Sequence, residues 1–291
     1  MSLGFLKLNP AFQLNIIFFV TLSFIVIWFY EKIPKAINFF VIYISIALFQ
    51  LFLSKTSENK IISFIKDFGL PVFSVLVAFE TVCELIPYLN PKDIDELLLK
   101  IDYLIFGFYP YVYFENFASA ALTEFMQISY CFYYFLPFVL GIYLIKRENK
   151  VEFYRALFLI LLCYYLSYIG YILFPALGPR YSIPHFFQSN LQGLFLAESI
   201  NNFLNSLEGI KRDAFPSGHV AVSLTVLLLM LKYNKTLFSI SLIPVVSLTI
   251  STIYCRYHYF VDVVAGVFLT VVTLFFGNLY YNFWLKKIKE K

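Results

Sequence analysis

The chain has 291 residues, of which 60% are hydrophobic, 21% aromatic and only 14% charged. A soluble domain averages about 45–50% apolar and about 25% charged residues, and more than half of its surface is already apolar at that composition. A soluble fold of this length cannot hide the excess, and disorder is excluded on the same grounds. A net charge of +4 is too thin a basic footprint for nucleic acid. The apolar runs are longer than the alternating segments of about ten residues that build a membrane barrel. The expected fold class is therefore all-α, a polytopic transmembrane helical bundle.

A crossing helix needs about 20 apolar residues. In chain order the sequence offers eight such spans: 11–30, 36–54, 68–88, 119–145, 153–175, 217–233, 236–254 and 260–283. Before the first, MSLGFLKLNP lacks the charged, apolar and small-residue order of a cleavable signal, so this span is expected to stay in the mature protein. Between the third and fourth, 91–117 mixes acids, lysines, prolines and aromatics, and reads as an interfacial helix followed by a loop. The cysteines Cys83, Cys131, Cys163 and Cys255 sit in or beside apolar runs without metal-type spacing, and read as small buried hydrophobes.

Eight crossings put both termini on one side. The loop ends on that side hold 14 Lys and Arg, and those on the other hold 8. The positive-inside rule makes the richer side cytoplasmic. The long connection 176–216 and the turn at 255–259 then face the extracytoplasmic side of the cell (inner) membrane. The three histidines, His185, His219 and His258, all fall at or near these two connections, together with Arg180, Lys211, Arg212, Asp213, Arg256 and Asp262. Such a grouping reads as an anion site, or simply as polar residues collecting in loops.

Local patterns sharpen the first reading. In KRDAFPSGHVAV, from Lys211, Pro216 suits the first turn of a helix, and Ser217 and Gly218 open it. A helix start offers free N–H groups and a partial positive charge, a cradle for phosphate, with His219 on its first turn. In YCRYHYFVDVVAG, from Tyr254, His258 and Asp262 are four apart and share a helix face. A carboxylate on one imidazole nitrogen leaves the other lone pair free to act as nucleophile or base. In LFPALGPRYSIPH, from Leu173, Arg180 offers a planar fork suited to phosphate. Each pattern also has a plain structural reading: a capped span start, a helix-holding His–Asp pair, a headgroup-bound arginine.

Together these segments resemble the type 2 phosphatidic acid phosphatase superfamily. Pro216-Ser217-Gly218-His219 matches its PSGH motif, and His258 with Asp262 matches the end of its third motif. Thr252 stands in that motif's arginine position, and Arg256 follows one turn later, on the same face if the stretch is helical. Arg180 matches the arginine of the first motif, with Leu173 in place of its lysine and Tyr181 in place of its proline. The departures, with YHYFVDVVAG and IDYLIFGFYP, are similar to the bacterial relatives of fungal inositol phosphorylceramide synthases.

The resemblance implies a six-helix phosphatase-like core. It divides the chain into N-terminal spans and an interfacial segment at 1–99, a catalytic membrane domain at 100–283, and a basic cytoplasmic tail at 284–291. It implies a lipid phosphatase acting on a lipid phosphate or diphosphate, without metal or other cofactor. His258 would form a phosphohistidine, Asp262 would orient it, and His219 would move the proton. Arg180, Lys211, Arg212, Ser217, Gly218 and Arg256 would bind the phosphate oxygens, and membrane lipids would be the partners. A headgroup phosphotransferase is the alternative, since the first chemical step is shared. A non-catalytic lipid transporter or scaffold is the alternative of another class. Three intramembrane acids, Glu80, Glu84 and Glu124, either meet a polar headgroup or only hold helices together. Asp213 reads as a local ion pair with Arg212, and His185 as a surface histidine.

Overall fold

The computed structural model describes residues 7–56, 59–208 and 211–290. Lys291 and most of the N-terminal segment used for the signal reading lie outside them. The described chain is a polytopic helical membrane bundle. Its helices are α1 (Pro10–Trp28), α2 (Ala36–Lys55), α3 (Lys60–Leu89), α4 (Asp95–Phe106), α5 (Pro110–Phe117), α6 (Ala120–Lys146), α7 (Lys150–Leu173), α8 (Pro179–Ser182), α9 (Ala197–Glu208), α10 (Gly218–Tyr233), α11 (Lys235–Tyr254) and α12 (Phe260–Lys289).

Seven of these are long and apolar enough to cross a membrane: α1, α2, α3, α6, α7, α11 and α12. Four points differ from the sequence expectation, the first being that the expected span 217–233 is a shorter apolar helix, α10 (Gly218–Tyr233), outside these seven. The third span starts at Lys60 and passes through a π-helical turn at Ile65–Gly69 before it reaches 68–88. The 91–117 stretch is two helices, α4 and α5, bent by 70°, where a helix and a loop were expected. The last helix, α12, runs past the expected end at 283 and through the basic end to Lys289.

Helix starts follow from side-chain caps. Asn9, Ser119, Asn149, Ser217 and Asn234 each accept a bond from a backbone N–H of the first turn they open. The 16-residue α10 is packed by α6, α7, α11 and α12 and lined with buried Val220, Ala221, Val226, Leu227 and Met230. Its crossing with α12 is close. A Cβ on Gly266 would stand 2.7 Å from the Ser217 carbonyl oxygen, and Thr270 donates to the Ala221 carbonyl at 3.0 Å. In lipid, such small-residue contact does the work that water expulsion does elsewhere.

On the other flank α7 joins this core to α1 and α3. Buried Asn15 is the knot there: it donates to Gln50 (3.1 Å) and Ser74 (3.2 Å) and accepts from Tyr165. The outer faces carry exposed apolar residues such as Phe24, Phe268 and Phe275, as a lipid-facing surface should. Chain direction alternates so that the turn at 255–259, the 174–217 connection and α4–α5 gather at one end of the bundle.

Candidate active site

Two loops meet at that end. After α11, Arg256 adopts a left-handed conformation (φ 66°), and the N–H groups of Tyr257 and His258 both turn back to the Thr252 carbonyl at 3.0 Å. This puts His258 in the turn, one residue from the α12 start. Its Nδ1 lies 2.8 Å from the Ala214 carbonyl oxygen. A carbonyl only accepts, so Nδ1 carries the hydrogen and Nε2 keeps the lone pair. Asp262 sits in the first turn of α12. Its Oδ2 accepts the Tyr259 N–H at 2.8 Å and lies 3.4 Å from His258 Nδ1. The carboxylate is within ion-pair reach of the ring, but the carbonyl is the nearer partner.

His219 occupies the first turn of α10, after the Ser217 cap. Ser217 also donates its N–H to the Asp262 carbonyl at 3.1 Å, tying the α10 start to α12. The His219 and His258 ring centroids are 5.8 Å apart. Tyr130 of α6 stacks on His219 (4.4 Å) and places its hydroxyl 3.3 Å from Nδ1 of His219. Both imidazoles line one cleft. Tyr130, Tyr257, Arg180, Tyr181, Lys211 and Asp213 line it too, and Leu204 and Asn205 of α9 complete its wall.

The cleft is held by carboxylates outside it. Asp95 of α4 accepts the N–H groups of Leu177 and Gly178, each at 3.0 Å, and the Tyr259 hydroxyl at 2.7 Å. Gly178 is required there. Its φ is +84°, and a Cβ would stand 2.3 Å from the Tyr257 carbonyl oxygen. The loop then pairs the Arg180 N–H with the Arg256 carbonyl at 2.9 Å. Asp102, on the same helix, accepts the Phe260 and Val261 N–H groups at 2.9 and 3.0 Å, capping α12 from outside. Glu124 accepts four N–H groups, from Leu194 to Ala197, at the start of α9.

Of the residues singled out in sequence, His219, His258, Arg180 and Lys211 line the cleft, with Asp262 directly behind His258. Lys211 also pairs with Glu80 at 2.7 Å. Four others are not in the lining. Arg212 pairs with Asp93, not with Asp213 as expected. Arg256 pairs with Glu115, donates to the Ser189 carbonyl at 2.9 Å and covers the Phe187 ring at 4.0 Å. The helical-face argument for Arg256 fails because α11 ends at Tyr254, and the left-handed residue swings the side chain away. Ser217 is a buried cap, and Gly218 makes room for the Tyr171 hydroxyl, which a Cβ would approach to 2.3 Å. His185 is exposed and rests on Phe186, and Glu84 is exposed on α3.

Burial pushes His258 down to about 4, against the neighbouring Asp213 carboxylate, which pulls the other way. The ring is therefore neutral at ordinary pH. Burial raises Asp213, opposed by His258 and Lys211. Among the described residues, no group of three or more His, Cys, Asp or Glu is disposed to hold a metal ion. The arrangement can hold an oxyanion between a neutral imidazole with a free lone pair and a second imidazole able to carry a proton.

Residues 102–276, more than half of the chain, match the family model described as the PAP2 superfamily. The chain belongs to that superfamily. It is also similar to a PA-phosphatase related-family protein of Dictyostelium discoideum, 25% identical over 186 residues, covering 57% of this chain and 34% of that protein. A second relative is a phosphoinositol dihydroceramide synthase of Bacteroides thetaiotaomicron, 25% identical over 193 residues and 62% of each chain. The chain thus covers less than two thirds of either relative. No solved structure matches it significantly.

Proposed function

We propose that the protein is an integral-membrane enzyme that moves a phosphoryl group from a membrane lipid through a phosphohistidine on His258. The observation that carries this reading is the convergence of His219 and His258, 5.8 Å apart in one cleft beside Arg180. In the first step Nε2 of His258 attacks phosphorus, and the bond from phosphorus to the leaving oxygen breaks. His219 gives that oxygen its proton. In the second step an acceptor oxygen attacks phosphorus, His219 takes its proton, and the P–N bond breaks. The Ala214 carbonyl and Asp262 hold the imidazole and balance the positive charge it gains. Arg180 and Lys211 hold the non-bridging oxygens as their charge shifts, a role that metal ions fill in other phosphatases.

Water as acceptor makes this a lipid phosphatase for a lipid phosphate or diphosphate, the reading that membership of the superfamily supports. A lipid alcohol as acceptor makes it a headgroup phosphotransferase. That second reading is favoured by the name of the bacterial relative and by a carboxylate, Asp213, within the cleft. The cleft lies at the end of the bundle poorer in Lys and Arg, and so faces the extracytoplasmic leaflet by the positive-inside rule.

The test is turnover of labelled phosphatidate, polyprenyl diphosphate and phosphodiester lipids by purified protein, with and without a second lipid alcohol. His258→Ala should abolish it, and His219→Ala should reduce it by about 100-fold or more. Free phosphate identifies the hydrolase, and transfer that needs the second lipid identifies the transferase. Turnover that survives both substitutions would remove the histidines from the mechanism, and no turnover of any of these lipids by the wild type would leave a lipid transporter or scaffold as the better account.

A further inference from the structure

We infer that an apolar groove between α3, α6 and α7 seats the hydrocarbon chain of the lipid whose phosphate enters the cleft, and that Gly141 sets how far this chain can reach. The inference rests on the phosphoryl-transfer reading and adds a second binding site to it. One wall of the groove, α3, lies outside the residues that match the superfamily model. Both α3 and α6 pack on α7, which forms the floor. Exposed Leu76 of α3 and Phe138 of α6 line the groove as well, so it opens sideways to lipid. Side chains able to hydrogen-bond line only its two ends. Tyr134 and Tyr164 stand at the end nearer the cleft, and Asp67, which accepts from the Tyr154 hydroxyl at 2.8 Å, stands at the other. Every lining residue between them is apolar, which suits a hydrocarbon chain and no polar group.

All three helices lead from the cleft into the groove. On α6, Tyr130 lines the cleft, and Tyr134, one turn on, lines the groove with its ring 6.5 Å from that of His219. Phe138 and Gly141 continue the same face. On α7, the Tyr164 ring lies 6.0 Å from Tyr133, whose own ring is 4.2 Å from His219. On α3, Phe79 and Glu80 hold the Lys211 ammonium of the cleft, at 4.5 Å from the ring centroid and 2.7 Å from the carboxylate. Leu76, Val72 and Phe68 follow them into the groove. From Phe153 to Tyr164 the floor is about 16 Å long at about 1.5 Å per residue, close to half of a hydrocarbon core of about 30 Å. That is the depth one lipid chain fills. At the far end, a Cβ on Gly141 would stand 3.3 Å from the Phe68 ring and 4.0 Å from that of Phe153. A larger side chain meets both rings and closes that end. Lipid is as apolar as the groove, so a chain gains little by leaving it. The groove works by fit: a chain that seats lets the phosphate reach the histidines, and one that does not holds it away.

The experiment uses three photoreactive probes: hexadecyl phosphate, octyl phosphate and hexadecanol, each with a diazirine at the chain end. They are photolysed with the purified full-length protein in phosphatidylcholine nanodiscs, and the labelled residues are mapped by mass spectrometry. The hexadecyl phosphate should label the region of Phe68, Gly141 and Phe153 about tenfold more than the alcohol does, because an anchored head makes chain docking intramolecular. Excess unlabelled hexadecyl phosphate should compete. The octyl phosphate should label nearer the cleft, around Val75 and Tyr134. Gly141→Leu should lower labelling of the far end by the long probe about tenfold, with the short probe changed by less than about threefold. The wild-type comparison needs no variant, so it stands even if Gly141→Leu fails to fold. Equal labelling of the groove by phosphate and alcohol probes would make it an ordinary lipid-facing surface and overturn the inference. So would the same labelled residues for both chain lengths. Groove labelling without turnover of any lipid would uphold the chain site and sink the enzymatic reading. Turnover with label only on outer faces such as Phe268 and Phe275 would do the reverse.

Discussion

The Nδ1 atom of His258 lies 2.8 Å from the carbonyl oxygen of Ala214, a residue far away in sequence and part of the loop that leads into the α10 helix start. This bond fixes the tautomer and leaves Nε2 basic. Burial then holds the ring at about 4. A nucleophilic imidazole of ordinary basicity would be lost to protonation near 6.5. The acid limb of kcat/KM is therefore expected near pH 4. The Asp213 carboxylate favours the protonated ring, so Asp213→Asn should move that limb lower still. The same shift bears on stability. The unfolded chain takes up this proton near 6.5 and the folded one only near 4, so the ring's contribution to stability falls as pH drops through that window. A pH–rate profile with its acid limb at 6.5 would contradict the assignment of His258.

Tyr130 stands to His219 as the Ala214 carbonyl stands to His258. Its hydroxyl is 3.3 Å from Nδ1, and its ring stacks on the imidazole. Removal of the hydroxyl alone, in Tyr130→Phe, keeps the stacking and frees the imidazole to change tautomer. As a positioning residue, its loss should lower kcat by about tenfold with KM little changed, because a poorly oriented proton carrier costs part of the 100-fold or more of general acid–base catalysis. An altered pH profile should accompany it. A rise in KM with unchanged kcat would instead make Tyr130 a substrate contact.

The bundle was legible in the sequence because lipid demands long apolar runs. The histidines were legible because their motifs are local: His219 needs only a helix start, and His258 only its spacing to Asp262. What was hidden depends on pairing across the fold. Arg256 looks like a ligand until one turn residue with positive φ and the distant Glu115 take it away. Arg212 is adjacent to Asp213 but bonds Asp93. Tyr130 carries no local signal, since it is one tyrosine among 23. The 91–117 stretch deceived because its mix of acids, lysines, prolines and aromatics suggests an interfacial helix and a loop. In the structure Asp95 and Asp102 face inward, to backbone N–H groups of the site.

Asp102 makes that last point testable. It is fully buried, and it satisfies two N–H groups at the start of α12, next to His258. A helix cap is worth about 1 kcal/mol, and a buried N–H left without a partner costs about 1–3 kcal/mol. Asp102→Ala should therefore destabilise the protein by about 2–4 kcal/mol, seen as a thermal midpoint in detergent lower by several degrees. Asp102→Asn keeps one acceptor oxygen and should fall between the two. Activity of the folded Asn variant should drop mainly in kcat, because the displaced turn carries His258, the proposed nucleophile. Equal midpoints for all three proteins would show that the caps are dispensable.

Arg256 and Glu115 form a nearly buried pair, with side chains 9% and 13% exposed. Breaking such a pair strands a charge and typically costs 3–5 kcal/mol, whereas replacing both partners with neutral groups of similar shape is often close to neutral. Arg256→Ala should thus lower the thermal midpoint sharply, and Glu115→Gln less so, since the amide still offers an oxygen. The double variant Arg256→Met with Glu115→Gln should recover much of the loss, a coupling that only paired residues show. A phosphate ligand behaves differently: its removal raises KM or lowers kcat whatever happens to Glu115. In the folded double variant kcat/KM should stay within about threefold of the wild type, because Arg180 and Lys211 remain in the cleft. A loss of 100-fold there would return Arg256 to the phosphate site and require its side chain to leave Glu115 when lipid binds.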